Sequence, residues 1–456
     1  MKLSIKNFKT ISDLKDLNIN SINIISGVNS SGKTSLIQFL LMLKQTLEAQ
    51  SVNPALIFDG DWVKLGSFSN LVYKKNMGSS IGFSLEFDKE YIKDRFPEIF
   101  KIESVKINAE YLYKETEIYL SNVKITYKTS QRQHFIEFSY IENLYTINSD
   151  SALLIDEFNN LMNKQGNINT TSFFPTIFST ELDNPKYPEF DKNPTVIAPI
   201  KVKIDEVQAI TNIFFSSISY LGPLRETPQD LYNSNNKNNF IGSKGEYAAQ
   251  FLEEESNDTT EFYDIQANEI KKMPLSDAVK YWICDVFNLA KDINAEKHKD
   301  SYVVKVMNRH DVESTIRHVG FGISQVLPII VEGLRMRKNG ILILEQPEIH
   351  LHPKIQSMLF DFIYSLSLTG KKFIIETHSD HFITRMRRRV AEDNSNLSEK
   401  INLVFIEERE TEYLFHKLNL DDMGTYDYFP NDFVDQSEDY DAIILAQAKK
   451  MMEKNK

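Results

Sequence analysis

The stretch Ile24-Ile25-Ser26-Gly27-Val28-Asn29-Ser30-Ser31-Gly32-Lys33-Thr34-Ser35-Leu36-Ile37 decides the fold. A short apolar run ends in a glycine, and Gly-Lys-Thr follows after four residues. Apolar residues then recur at Leu36, Ile37, Leu40, Leu41, Leu43 and Leu47, a helical period. A strand, this spelling and a helix together make a phosphate-binding loop. Gly27 and Gly32 allow backbone angles that a side chain would forbid. Successive N–H groups can then curl around phosphates, with the positive end of the helix behind them. Gly27, Asn29, Ser30, Ser31, Gly32, Lys33, Thr34 and Ser35 are the candidate nucleotide-binding residues. Lys33 would set a point charge on the β- and γ-phosphates, and the Thr34 hydroxyl is a hard ligand for Mg²⁺.

The 456 residues suggest about three units of ordinary domain size. An apolar share of 41% suffices for proper cores. Cys284 is the one cysteine, which excludes an internal disulfide and a cysteine-based zinc site. Met1-Lys2-Leu3-Ser4-Ile5-Lys6 enters alternation at once, so no signal peptide is expected. No apolar window is long enough for a bilayer, and a cytoplasmic chain without a membrane partner is expected. The net charge of −12 argues against a protein that coats nucleic acid, although a local basic patch stays compatible with it.

Along the chain, Lys2–Ile11 and Ile22–Ile25 read as short strands. Between Ile81 and Ile147 the pattern alternates, as in Val105-Ile107-Ala109-Tyr111 and Ile118-Leu120-Val123-Ile125-Tyr127, which predicts antiparallel strands. Residues 165–200 carry five prolines among polar residues and read as a long loop or insertion. Helices are expected at 202–216, 244–255 and 276–291. Then strand 302–307, helix 324–337, strand 341–345, helix 354–368, strand 372–376, helix 380–392 and strand 402–407 alternate, which argues a largely parallel sheet. The expected division is 1–80 and 216–395 for an α/β head, 81–215 for an antiparallel lobe with an insertion, and 396–456 for a small C-terminal domain.

Further chemistry lies in the second half. Ile341-Leu342-Ile343-Leu344-Glu345 is an apolar strand ending in a carboxylate, a candidate holder of the Mg²⁺ shell. It runs on into Gln346-Pro347-Glu348-Ile349-His350-Leu351-His352-Pro353. A second strand ends in Glu376-Thr377-His378-Ser379, where His378 could donate to a γ-phosphate or position water. Gly320-Phe321-Gly322-Ile323-Ser324-Gln325 opens a helix, and Gly322, Ser324 and Gln325 are candidate anion ligands at its N-terminus.

In this order the motifs resemble the ABC-type ATPases of the RecF, SMC and OLD group. The loop is similar to their G-x-N-x-x-G-K-[ST], and Glu345–Pro353 to the E-[EQ]-P-E-x-H-L-H-P run of the OLD branch. Leu65–Leu71, Tyr220-Leu221-Gly222-Pro223-Leu224-Arg225, His378-Ser379-Asp380-His381-Phe382 and Phe429-Pro430-Asn431-Asp432-Phe433 resemble bacterial AAA-labelled ATPases with a small C-terminal domain. The resemblance implies an α/β ATPase head of mixed sheet with an antiparallel β lobe, binding ATP and Mg²⁺. It implies a homodimer or higher homo-oligomer in which each loop faces Ser324 of the other copy. Lys33, Glu345, Gln346, Glu348 and His378 would be catalytic, with Thr34 and Glu345 holding the metal. Similar ATPases stand in anti-phage operons, which implies a separately encoded effector, often a nuclease. The rival is a RecF-like repair ATPase that binds DNA directly.

One departure bears on rate. Gln346 stands where such ATPases carry a second acid, and an amide cannot take a proton from water at neutral pH. Glu348 or His378 substitutes, hydrolysis is slow, or the chain is chiefly an ATP-gated switch; slow hydrolysis is the expectation. The basic cluster Arg385, Arg387, Arg388 and Arg389 reads equally as a solvated helix face or as a surface for nucleic acid or a partner's acids. Arg225 reads as a phosphate ligand or as one half of an ion pair.

Overall fold

The structure, a computed structural model, describes residues 1–27, 32–49, 56–95, 102–114, 117–141, 144–152, 155, 167–171, 174–178, 198–234, 240–393, 396–409 and 412–427. The chain forms two compact units, Met1–Ile19 with Thr34–Ile218, and Asn20–Lys33 with Ser219–Lys456.

The first unit is built on a seven-stranded antiparallel sheet. Its spatial order is Ile11–Asn18, Lys2–Phe8, Ile81–Phe87, Ile102–Lys114, Glu117–Thr129, Gln133–Ile141 and Leu144–Ser149. The expected single strand Lys2–Ile11 is instead a hairpin. Phe8 pairs with Ile11, and Asn7 and Lys9 take left-handed φ of 57° and 49° at the turn. The sequence hides this turn because Phe8 and Ile11 are both fully buried, so the apolar pattern runs through it. The uneven step from Leu120 to Val123 is a bulge. Glu110 faces Asn122 while Tyr111 faces Leu120, so Ser121 is the extra residue, and its hydroxyl donates to the Glu110 carbonyl at 2.9 Å. Aromatic rings pack the helices of this unit on the sheet. Phe39 lies edge-on to Phe8 and Phe83 at 5.0 and 5.8 Å between centroids, and Phe214 to Phe87 at 5.5 Å.

Within 165–200, expected as a loop, Asn167–Thr171 and Phe174–Phe178 form a two-stranded antiparallel ribbon. Pro175 is tolerated there because a two-stranded ribbon consists only of edges, where a missing N–H need break no ladder. Residues 179–197 lie outside the described residues, as do 235–239 of the Asn-rich stretch, Asn29, Ser30 and Ser31 of the loop, and Phe429–Phe433.

The second unit carries a six-stranded mixed sheet. Its order is Ile218–Leu221, Ile341–Glu345, Lys372–Glu376, Ile22–Gly27, Ile401–Arg409 and Glu412–Leu418. Four of these strands run parallel, from Ile341–Glu345 to Ile401–Arg409, and Glu412–Leu418 returns antiparallel. Ile22–Gly27 and Ile341–Glu345 are buried at every residue, which is why Ile341–Leu344 reads as an unbroken apolar run and Ile22–Gly27 as one interrupted only by the buried Asn23 and Ser26. Helices Phe321–Arg335, Pro353–Ser367 and Asp380–Glu392 share a core with Ile22, Ile24, Leu342, Leu344, Phe373 and Ile375. Burying one such Leu or Ile side chain contributes about 1.5–3 kcal/mol, so the unit rests mainly on this core.

A smaller antiparallel sheet of Asp292–His298, Ser301–Met307 and short flanking strands joins this core, with the hairpin Thr259–Asp264 and Glu269–Pro274. Asp264 holds the hairpin's turn by accepting from the Gln266 and Ala267 amides at 2.8 and 3.0 Å and from the Tyr281 hydroxyl at 2.9 Å. Burial alone would raise its carboxyl, but Lys271 and these donors overcome it and pull the group down to about 2. A carboxyl depressed on folding contributes stability above its unfolded value, and that contribution is lost as pH falls through the folded value. Asp264→Asn should therefore cost about 2 kcal/mol near neutral pH. In urea melts the gap to the wild type should shrink as pH falls below about 4.

Candidate active site

Parallel register brings the sequence motifs to one edge of the second unit's sheet. Ile341 pairs with Lys372 and Glu345 with Glu376, while Glu376 pairs with Ile25 on the loop strand. The Thr377 N–H donates to Ile25 O at 3.1 Å and the Gln346 N–H to Glu376 O at 2.8 Å. The loop strand, the Glu345 strand and the His378 strand thus end together, at the carboxyl edge where open α/β sheets bind ligands.

Gly27 and Gly32 bracket the loop with φ of 148° and 87°, backbone that favours glycine. Lys33 begins the helix Lys33–Glu48, and its ammonium donates to Gly27 O at 3.0 Å. Burial lowers its pKa, and the Glu376 carboxylate opposes that shift. Thr34 is half-buried and Ser35 buried, both on the first turn of the same helix, with Ser35 Oγ accepting from Thr10 at 3.1 Å.

Three carboxylates cluster at the strand ends, and all three are buried: Glu345, Glu348 and Glu376. Burial and the facing Glu376 charge push Glu345 up to about 7, against the Tyr220 hydroxyl, which donates to it at 3.2 Å, and against Arg225. Burial also raises Glu348, opposed first by the His378 N–H, which donates to its Oε1 at 2.7 Å. Partial desolvation and then the Lys33 charge hold the exposed His378 imidazole below its ordinary value. Lys33, Glu345, Glu348 and His378 therefore form one electrostatic group, and Gln346 sits beside it at a left-handed φ of 42°.

This donor set fits the groups the loop implies. A carboxylate that is hard to ionise beside another carboxylate is stabilised by a divalent cation. A carboxylate oxygen such as that of Glu345 suits Mg²⁺, which keeps water and phosphate in its remaining positions. Among the described residues no group of three His, Cys, Asp or Glu could by itself hold a metal ion.

Gly322, Ser324 and Gln325 form the first turn of helix Phe321–Arg335. Its N-cap position, Gly320, offers no side-chain cap. A Cβ built on Gly320 or Gly322 would meet nothing within 4 Å, so this helix end is open. Ser324 is buried and donates to Phe321 O at 2.8 Å. In the Glu345–Pro353 run, by contrast, His352 is a structural cap, its Nδ1 accepting from Lys354 N–H at 3.2 Å.

The basic cluster is satisfied internally. Arg389 and Arg385 reach Asp361 at 2.7 and 3.5 Å, Arg388 reaches Glu392 at 2.7 Å, and Arg387 donates to Gly424 O at 2.8 Å while lying over Tyr426. Sequence reading overlooked Tyr220 and Glu376. Tyr220 stood within the Leu-Gly-Pro run and Glu376 beside the Thr-His-Ser run, but their contacts with Glu345 need the strands aligned.

A sheet whose strand ends gather a glycine-bracketed lysine, buried acids and a histidine defines a nucleotide-binding α/β ATPase. The chain belongs to the AAA ATPase domain family, whose model matches residues 1–383. No curated protein matches it. Among solved structures it is similar to an SMC head bound to the C-terminal winged-helix domain of ScpA, at 11% identity and a TM-score of 0.41, covering 92% of this chain and 97% of that one. It is also similar to the SMC head domain from Thermotoga maritima, at 9% identity and a TM-score of 0.40, covering 92% and 98%. A third similar structure is an SMC head with an extended coiled coil bound to the C-terminal domain of ScpA, derived from Pyrococcus furiosus, at 12% identity and a TM-score of 0.39, covering 92% and 96%. Among the described residues no helix is long and apolar enough to cross a membrane.

Proposed function

We propose that this chain binds and slowly hydrolyses ATP, closes as a homodimer around the nucleotide, and regulates a separately encoded effector protein. The observation that carries the reading is the meeting of Lys33, Glu345, Glu348 and His378 at one sheet edge beside the phosphate loop. Lys33 and the loop amides hold the phosphates; Glu345 with Thr34 holds Mg²⁺, which would neutralise charge on the β- and γ-oxygens. Glu348 fixes the backbone of His378, and His378 donates toward the terminal phosphate or orients water. With Gln346 in place of an acid, turnover stays below about 1 s⁻¹.

Support for the dimer comes from the open, uncapped terminus at Gly320–Ser324, an anion-binding helix end. A phosphate of the other copy's ATP suits it, and ATP then favours the closed state by its differential affinity. The anti-phage setting, with a nuclease as the effector, rests on the family resemblance. The internal pairing of Arg385, Arg387, Arg388 and Arg389 supports a protein partner over direct DNA binding.

Light scattering with and without MgATP tests this reading. The wild type should double its mass with MgATP. Ser324→Arg should stay monomeric while its single-copy ATP affinity changes less than about threefold, because only the donated helix end is blocked. A second polypeptide should co-purify with the ATP-bound form; turnover stimulated by bare DNA and lost on charge reversal at Arg387 and Arg388 would favour the repair reading instead.

A further inference from the structure

The segment that carries Arg225 leaves the edge strand Ile218–Leu221 through Gly222-Pro223 and is fastened on both sides. The Gly222 N–H donates to Ser243 O at 2.7 Å, and the Glu226 N–H to Lys244 O at 2.9 Å. The turn that receives these bonds is seated on helix Phe321–Arg335. Gly245 has φ of 77°, and a Cβ there would lie 2.4 Å from Pro328 Cβ, so the backbone touches the helix directly. Arg225 is therefore held by rigid neighbours.

Its guanidinium is in an unusual state. The residue is 8% exposed, and Nε, Nη1 and Nη2 are each buried with no hydrogen-bond partner. The groups around it are Tyr220, Glu345 and Glu348, which oppose a burial that lowers the guanidinium to about 10. None of them bonds it. The Tyr220 hydroxyl donates to Glu345, and Glu348 accepts from the His378 amide through Oε1 while its buried Oε2 makes no hydrogen bond. Burying a cation without hydrogen bonds is unfavourable, and nearby carboxylates that do not bond it offset that only in part. Such an arrangement persists where a ligand completes it. The ligand must be anionic, rich in acceptor oxygens, and next to Glu345 and Glu348. A phosphate answers that description, and the guanidinium fork matches phosphate oxygens two at a time.

We propose that Arg225 ligates the terminal phosphate of the nucleoside triphosphate held by Gly27–Lys33 of the same copy, making it a second phosphate cation beside Lys33. The proposal rests on the nucleotide-binding reading above and deepens it, because it names the residue by which the site distinguishes triphosphate from diphosphate. Lys33 is bound to the loop through Gly27 O, whereas Arg225 lies among Glu345 and Glu348. The turn that fastens its segment rests on Pro328 through Gly245, which also joins the phosphate contact to the helix that opens at Ser324.

The test is equilibrium binding of fluorescent ADP and of a fluorescent non-hydrolysable ATP analogue to the full chain with Mg²⁺, together with thermal unfolding of the nucleotide-free protein. Arg225→Ala should weaken the triphosphate by about tenfold or more and the diphosphate by less than about twofold. The nucleotide-free melting temperature should hold or rise, because an unbonded buried cation has been removed. Arg225→Lys, which keeps the charge and loses the fork, should restore the preference only in part; it also serves if the alanine variant does not fold. Equal weakening of both nucleotides, no change in either, or a fall in melting temperature with the triphosphate preference intact would overturn the proposal in favour of a counter-ion for Glu345 and Glu348. A wild type that binds neither nucleotide, or a Lys33→Ala variant that binds both normally, would instead remove the nucleotide-binding reading itself.

Discussion

Lys33→Ala is expected to lower ATP turnover by about a hundred- to a thousandfold, the scale on which removal of one preorganised charge-stabilising group acts. The lysine is 4% exposed, and its ammonium already bridges the loop by donating to Gly27 O at 3.0 Å. It has no reorganisation to undergo when phosphate arrives beyond exchanging that carbonyl for a phosphate oxygen. Burial lowers its pKa against the pull of Glu376, so the ammonium is held at some cost to the empty protein. Removing it should leave the nucleotide-free melting temperature within a few degrees of the wild type, since alanine is also the best helix former at the start of Lys33–Glu48. Lys33→Arg should not rescue activity, because the larger planar group cannot act as a compact point charge inside the loop. A variant that kept its turnover with its fold intact would remove Lys33 from the groups that stabilise the reacting phosphate.

Gln346→Glu should act in the opposite direction and raise turnover by about a hundredfold, the contribution of a positioned general base. The change is isosteric and keeps the backbone, whose N–H donates to Glu376 O at 2.8 Å in a left-handed conformation. It adds a further carboxylate to a neighbourhood where Glu345 already stands at about 7 beside Glu376. The variant should therefore hydrolyse faster in single-turnover experiments and melt at a lower temperature without Mg²⁺ and nucleotide. If turnover does not rise, and Glu348→Ala abolishes fast chemistry in the parent protein, Glu348 is the base and Gln346 is no brake.

Local features of the fold were legible at once because their causes are local. Buried parallel strands such as Ile341–Glu345 and Lys372–Glu376 show as unbroken apolar runs, and the helices between them show a period near 3.6. What misled was a pattern with two physical origins. Leu3, Ile5, Phe8 and Ile11 read as one strand although a turn divides them, since burial on both sides of a tight turn carries the apolar pattern through it. The bulge at Ser121 was visible as an uneven step, but only pairing with Glu110 explains it. The ribbon within 167–178 was masked by Pro175 and by the four prolines that follow it before residue 200.

The sequence by itself determined the chemistry available: a phosphate loop of fixed spacing, a strand that ends in Glu345, a Thr-His-Ser terminus, and a glutamine where an acid is usual. These are matters of residue type and spacing over a dozen positions, which the chain carries wherever it folds. Tertiary structure alone decided which groups meet. Parallel register set Glu345 opposite Glu376, and sheet order brought Tyr220 to Glu345 across 125 positions. Internal acids and carbonyls engaged the arginines of Asp380–Glu392, while Arg225 was buried with no hydrogen bond at all. Burial and pairing depend on atoms contributed from far along the chain, so a residue's charge is written in the sequence but its partner is not.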